Sequence, residues 1–459
     1  MNFSSLKLSG ESLAVLNELG FKEMTPIQAE SIPALLAGRD VIGQSKTGSG
    51  KTVAFSIPLL EKIDAENRRL QGLVLCPTRE LCTQVAKEIR RLGRRVPALQ
   101  VLIVCGGQPI GPQLGGLRMG AQIVVATPGR MVDVLMRARP DLEDLKMLVL
   151  DEADRMLEMG FENDMELILN ELPKTRQTAL FSATYPATIQ NLSRNFQIQP
   201  LRIEIKDDEG EKTKIEQSYY EAEPEEKPRL LSRILRRMDP EAAIIFCNLK
   251  ITTTDLAASL AKDGFSAAAI NGDLEQQDRD EVLAKFRNGS LRFLIATDVA
   301  ARGLDIQDLP LVINYDLPKE TEVYTHRIGR TGRAGQSGAA ISLVSALEKI
   351  RMTEIQLSSG VKPELISLPP KGDLPGEPRL PHMQTLFIGG GRKEKVRPGD
   401  LLGALTGEAG GLHASDVGKI EIHDHFSYVA VARKVASQIL RKLANGRIKG
   451  RKFTVKLLD

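Results

Sequence analysis

The stretch DVIGQSKTGSGKTVAFSIPLLEKI, residues 40–63, passes from a short apolar run through a glycine-rich turn into a helical pattern. Gly50, Lys51 and Thr52 complete the template G-x-x-x-x-G-K-[ST], with Ser45 where the first glycine would stand. Gly48 and Gly50 let backbone N–H groups point at phosphate oxygens, and the N-terminus of the following helix adds its dipole. Lys51 then reaches the terminal phosphates, and the Thr52 hydroxyl is suited to Mg²⁺. A glycine-rich turn alone is weak evidence. Strand, loop, GKT and helix in that order predict a nucleotide phosphate site built from Ser45, Lys46, Thr47, Gly48, Ser49, Gly50, Lys51 and Thr52.

Such a site needs a carboxylate at the C-terminal end of a neighbouring strand. The run MLVL, residues 147–150, delivers Asp151 and Glu152 at such an end. Asp151 is the candidate Mg²⁺ ligand beside Thr52, and Glu152 the candidate base for an attacking water. The competing reading, a solvated acidic helix cap, suits Asp154. Around this pair, the runs DVIG, GLVLCP, QVLIVCG, AQIVVATP and TALFSAT alternate with amphipathic stretches such as RELCTQVAKEIRRL, residues 79–92. That alternation predicts a mainly parallel sheet covered by helices.

The alternation stops in the charged segment IKDDEGEKTKIE and resumes with AAIIFCN, SAAAIN, RFLIATD, LVINYD and GAAISLV, up to about residue 344. A second break, residues 362–381, holds six prolines and reads as a semi-extended spacer. The expected organisation is therefore an α/β domain at 1–205, a linker at 206–216, a second α/β domain at 217–360, a proline-rich linker at 361–381 and a small domain at 382–459. Composition agrees, with 42% apolar and 26% charged residues, as in soluble globular proteins. No opening basic-then-apolar segment and no run of about 18 apolar residues occur, so a soluble cytoplasmic protein is expected. The four cysteines, Cys76, Cys82, Cys105 and Cys247, lie in or beside apolar runs and read as reduced core thiols. The net charge of +3 is unevenly placed: residues 380–459 hold 14 Lys+Arg against 7 Asp+Glu, leaving the rest of the chain at −4.

In the second domain YTHRIGRTGRAG sets Arg327, Arg330 and Arg333 three residues apart, a spacing that brings several guanidinium groups to one face. Arginines acting on a transferred phosphoryl group are worth about 10³–10⁵ in rate. If these arginines face the P-loop, hydrolysis requires the two domains to close.

Taken together, GFKEMTPIQ (20–28), SKTGSGKT (45–52), PTREL (77–81), GG (106–107), TPGR (127–130), DEAD (151–154), SAT (182–184), IIFCN (244–248), TDVAARGLD (297–305) and HRIGRTGR (326–333) resemble the ordered motifs of DEAD-box ATP-dependent RNA helicases. The resemblance spans about three quarters of the chain and implies two RecA-like parallel-sheet domains in tandem. It implies that Gln28 and Thr25 read adenine, with Phe3 as a stacking ring, while Gly303 and Asp305 serve the nucleotide and Arg330 and Arg333 are the catalytic arginines. Ser182, Thr184, His326 and Arg327 correspond to coupling positions. RNA backbone contacts fall on Arg79, Gly107, Thr127, Arg130 and Thr297. Ser45 replaces the more usual Ala, and Asn271 a frequent His. These contacts suit sugar and phosphate, so the core is expected to lack sequence specificity and to open short duplexes locally and non-processively. An ATP-dependent RNA clamp or assembly scaffold without significant unwinding, and a DNA helicase, are the alternatives.

Beyond the prolines the pattern reads strand, helix, strand, strand, helix, strand, the βαββαβ order of an RRM-type α+β domain. Phe387, Phe426 and Tyr428 stand where an RRM would stack bases, with core packing the competing reading. A DEAD-box core followed by a basic RRM-like domain resembles the bacterial DEAD-box protein A subfamily. That implies binding of a large-subunit (23S) ribosomal RNA hairpin near the peptidyl transferase centre and assembly of the 50S subunit on pre-50S particles; ATP and Mg²⁺ are the expected cofactors, and the oligomeric state stays open, with a monomer the simplest expectation. Members do not necessarily use the sheet face, so the candidate contacts are Arg392, Lys393, Lys395, Arg397, Lys449, Arg451 and Lys452.

Overall fold

The computed structural model describes residues 1–46, 48–205, 215–301, 306, 308–332, 338–359, 361–367, 376–407 and 410–458. The chain forms two compact units. In the first, β1 (Val41–Gln44), β2 (Gly72–Leu75), β3 (Val101–Val104), β4 (Ile123–Ala126), β5 (Met147–Asp151), β6 (Gln177–Ser182) and β7 (Leu201–Glu204) form a parallel sheet in the order β3-β4-β2-β5-β6-β1-β7. Alternate residues of β2 and β5 feed cores on opposite faces: Val74, Met147 and Val149 on one, Leu73, Leu75, Leu148 and Leu150 on the other. This two-sided burial is why these strands read as continuous apolar runs. The helix Arg79–Leu92 is capped by the Thr78 side chain, which accepts from Leu81 N at 3.3 Å, and buries Leu81, Val85, Ala86, Ile89 and Leu92.

The second unit repeats the design with β8 (Ile215–Glu221), β9 (Ala243–Phe246), β10 (Ala267–Ile270), β11 (Phe293–Ala296), β12 (Leu311–Asn314), β13 (Gly338–Val344) and β14 (Glu364–Leu365), all parallel, in the order β10-β11-β9-β12-β13-β8-β14. Two expectations are corrected here. Ile215 and Glu216, assigned to the first linker, open β8, and residues 364–365 of the proline-rich linker pair with β8 as an edge strand. Nor is the end of that linker a loose spacer. Arg236 Nη1 donates to Gly376 O at 2.9 Å, Arg292 Nη1 to Arg379 O at 2.6 Å, and Arg379 faces Asp239 at 3.3 Å. The four cysteines are unpaired and buried, and burial pushes the Cys76 thiol up to about 11, as expected for inert core thiols.

The same unit carries the four-stranded antiparallel sheet β16-β17-β15-β18, made of β15 (Met383–Ile388), β16 (Val417–Ile422), β17 (Ser427–Ala432) and β18 (Val455–Leu458). Leu386, Ile388, Val429 and Val431 point to one face, where they join Leu401, Leu405, Ile439 and Leu443 of the two helices in a core. The opposite face meets the α/β domain that precedes it. Asn288 Nδ2 donates to Thr385 Oγ1 and Thr385 Oγ1 to Ser290 Oγ, each at 2.8 Å, while Arg287 binds both oxygens of Glu421 at 3.1 and 2.8 Å. Removing one partner of such a partly buried, bidentate pair costs about 2–5 kcal/mol. Arg287→Glu is therefore expected to raise the radius of gyration in small-angle scattering, and Glu421→Arg in the same chain to restore it; an unchanged scattering profile for Arg287→Glu would remove the pair as a clasp.

Candidate functional site

In the first unit, β5, β6 and β1 lie side by side, and register pairs Asp151 with Phe181 and Gln44 with Ser182. The C-terminal ends of these strands therefore lie level, and the three loops that follow meet. Gly50 caps the helix Lys51–Glu61 in the left-handed region at φ +92°. A Cβ there would lie 2.4 Å from Gln28 Nε2, so glycine is required both by conformation and by space. Gln28 is buried and uses both ends of its amide: Thr25 N donates to Oε1 at 3.0 Å and Nε2 donates to Gly50 O at 3.1 Å. Thr25 Oγ1 is buried without a partner among the described residues. Ser45, the departure from Ala, holds the loop through a 2.7 Å contact between its hydroxyl and that of Ser49, and its carbonyl accepts from Lys51 Nζ at 2.7 Å.

Lys51, Asp151, Glu152 and Asp154 are all buried. Burial lowers the Lys51 ammonium pKa against the opposing pull of the carboxylates, Asp151 foremost. Burial and the adjacent Glu152 push the Asp151 carboxyl up to about 7, which Lys51 only partly offsets. Asp151, a buried carboxylate crowded by Glu152, offers the hard oxygen donor that a divalent cation takes. No group of three or more His, Cys, Asp or Glu among the described residues can hold a metal by itself.

Asp154 is not the solvated cap that the sequence allows. Its Oδ2 accepts from Ala183 N at 3.2 Å and from Thr184 N and Oγ1, each at 2.9 Å, and its N–H faces Ser182 Oγ at 3.4 Å. Burial works against its ionisation, yet the Thr184 and Ser182 donors outweigh it and hold the carboxyl below the usual range. The DEAD and SAT segments are thereby tied directly, and Ser182 O also accepts from Ser45 N at 3.1 Å. Phe3 is 2% exposed and packs edge-on to Phe21 at 6.1 Å.

The first unit's RNA candidates follow the C-terminal ends of the neighbouring strands β3, β4 and β2. Gly107 adopts φ +70°, and a Cβ on it would meet Arg79 Nη1 at 2.2 Å. Thr127 caps the helix Pro128–Ala138 and Arg130 Nη1 donates to Gln108 O at 2.9 Å, so three loops converge. In the second unit, Thr297 follows β11, its hydroxyl accepting from Ala300 N at 3.4 Å. His326 lies on the helix Thr321–Ile328, and Arg330 is buried just beyond it.

Arg327 departs from the expected common face of arginines. Its Nε and Nη2 bind Asp298 at 2.6 and 2.7 Å, Nη2 also binds Asn248 Oδ1 at 2.9 Å, and Nη1 donates to Asp316 O at 2.6 Å and Asn314 Oδ1 at 3.3 Å. It is an internal anchor. Asp298 and Asn248, which it joins, had no assigned role; the signal was their place inside TDVAARGLD and IIFCN. Thr47, Gly303, Asp305 and Arg333 lie outside the described residues.

In the C-terminal domain Arg392, Lys393, Lys395, Arg397, Lys449, Arg451 and Lys452 are candidates on loops, and two of those loops touch, since Lys449 Nζ donates to Lys395 O at 2.9 Å. The aromatic face is different: Tyr428 is 1% exposed, His423 stacks on Phe426 at 4.6 Å and Phe426 on Phe387 at 5.7 Å. Asp278, Asp280 and Glu281 of the helix Gln276–Arg287 act electrostatically on Tyr428. Rings packed on each other and set among carboxylates make a poor platform for nucleotides. No helix among the described residues is long and apolar enough to cross a membrane.

Residues 25–192 match the DEAD/DEAH box helicase family, 226–335 the helicase conserved C-terminal domain and 385–457 the DbpA RNA binding domain. The chain is 48% identical to the ATP-dependent RNA helicase DbpA of Escherichia coli over 99% of both chains. It is 40% identical to the ATP-dependent RNA helicase DeaD of Mycobacterium tuberculosis over 98% of this chain and 92% of that one. Among solved structures, Saccharomyces cerevisiae Dbp5 bound to RNA and ADP BeF3 superposes with a TM-score of 0.72 at 31% identity, covering 80% of this chain and 95% of that one. With the P-loop, DEAD and SAT segments hydrogen-bonded into one site and the basic RNA-binding domain following, the chain belongs to the DEAD-box ATP-dependent RNA helicases, in the DbpA subfamily.

Proposed function

We propose that the protein is an RNA-dependent ATPase that opens short RNA duplexes locally, directed by its C-terminal domain to large-subunit ribosomal RNA during assembly of the 50S particle in the cytoplasm. The observation that carries the reading is the chain of hydrogen bonds from Gln28 through Gly50 to Lys51 and on through Ser45, Ser182 and Asp154. It lets occupancy of the phosphate loop act on the SAT segment, as an ATP-driven machine requires. Gln28, Thr25 and the loop residues 45–52 hold the nucleotide, and Glu152 takes a proton from the attacking water. Thr52 and Asp151 would hold Mg²⁺, which would supply positive charge to the phosphates. Arg330 and Arg333 of the second domain stabilise the charge that develops on the transferred group. Arg79, Gly107, Thr127, Arg130 and Thr297 hold the RNA backbone.

The basic loops around Lys395 and Lys449 supply affinity for RNA, because phosphate neutralisation dominates affinity for nucleic acid. The test is ATP turnover with a 23S hairpin fragment, unrelated RNA and DNA. The hairpin fragment should stimulate most, and equal stimulation by DNA would overturn the reading. Charge reversal of Arg451 and Lys452 to Glu should weaken RNA binding and reduce the slope of log affinity against log salt by about 1 for each phosphate that is no longer neutralised. An unaltered slope would place the RNA elsewhere.

A further inference from the structure

We propose that Arg155, the residue after DEAD, is a positioning residue that fixes the Glu152 carboxylate for proton abstraction. Glu152 follows the buried strand β5 in the left-handed region, at φ +54°. Such a conformation is uncommon for a residue with a side chain and persists only where the surroundings hold it. Arg155, one turn further along the short helix Ala153–Glu158, is 4% exposed, and its Nη1 donates to Glu152 Oε2 at 2.9 Å. Its backbone N–H donates to Asp154 Oδ1 at 3.0 Å, the carboxylate whose other oxygen holds Thr184.

Glu152 Oε2 is thus taken, while Oε1 has no partner among the described residues. A carboxylate held by one oxygen keeps a single orientation and presents the other. In the hydrolytic step the water oxygen bonds to the γ-phosphorus, the bond to the bridging oxygen breaks to leave ADP, and the water proton passes to Oε1 and then to solvent. Arg155 touches none of the reacting atoms; it acts through the orientation of Glu152. Because Asp154 holds the SAT segment on one side and Arg155 on the other, that orientation is set by the element that carries the nucleotide signal.

The inference rests on Glu152 as the base, and the test separates the two. In the full-length protein, Arg155→Gln should lower kcat about 10- to 100-fold, as expected for a misplaced reactive group, with the KM for ATP within about twofold. Affinity for a fluorescent ADP analogue, read without turnover, should be unchanged. In a Glu152→Gln background the same substitution should cost nothing more, because the group it positions is already inactive. A native kcat in Arg155→Gln, or an equal loss in both backgrounds, overturns the proposal. If Arg155→Gln does not fold, Arg155→Lys keeps the buried charge but not the reach; it should still lose turnover, and native kcat there also overturns the proposal. Native turnover in Glu152→Gln alone would overturn the assignment of the base instead.

Discussion

Replacing Glu152 by Gln is expected to reduce kcat for RNA-stimulated ATP hydrolysis about 10²–10⁴-fold, the range for losing a positioned general base, while the KM for ATP changes little. The amide keeps the shape and can still accept the hydrogen bond from Arg155, so neither the left-handed turn nor the ion-pair site has reason to collapse. What it loses is the capacity to take the water proton. The residues proposed to hold the nucleotide, Gln28, Ser45 and Lys51, keep their own hydrogen bonds to Gly50, Ser49 and the Ser45 carbonyl, which separates binding from chemistry. The variant should therefore still bind RNA in the presence of ATP and release it more slowly. Steady-state ATPase and RNA dissociation rates measured side by side check this; a kcat within tenfold of the native value would remove Glu152 from the role of base.

The strand, loop and helix that frame the candidate phosphate site were legible in the sequence because their signals are local. SKTGSGKT follows a buried strand and opens a helix, and MLVL delivers DEAD at a strand end. Asp154 was not legible as a coupling residue, since its partners at 182–184 lie about 30 residues away and come level with it only through the pairing of β5 and β6. Arg155 was missed for the opposite reason. An arginine after three carboxylates reads as a surface charge until the fold shows it to be buried. Phe3 was named through the family resemblance, which says nothing of the ring of Phe21 that packs against it.

The second unit shows the same limit. Its parallel strands were readable as apolar runs, but β8 and β14 were hidden in segments rich in charge and proline. Such strands take their identity from the neighbour they pair with rather than from their own pattern. In the C-terminal domain the βαββαβ order was readable from period and turn residues, whereas the use of the sheet face was not. Thr385 and Glu421 carry no mark of docking in the sequence; Asn288, Ser290 and Arg287 supply it from about 95 to 134 residues away. The sheet face is thereby occupied, which supports the proposal that RNA is met by the basic loops.

Arg327 and Arg330, three residues apart, can be told apart by what each loss should do. Arg327→Ala is expected to destabilise the second unit by about 3–5 kcal/mol, because it strands a buried charge set rather than removing a surface contact. Arg327 is 2% exposed and joins Asp298, Asn248, Asn314 and the Asp316 carbonyl, so one truncation unsatisfies acceptors on three segments. At the roughly 2–4 °C per kcal/mol that applies to a body of this size, the melting transition should fall by about 10 °C. Asp298→Ala should cost less, since Arg327 keeps its other acceptors, and the double variant should cost less than the sum of the two singles. Calorimetry resolves these shifts without reference to activity. A transition within about 2 °C of native, accompanied by loss of turnover, would instead return Arg327 to a direct role in the ATPase cycle.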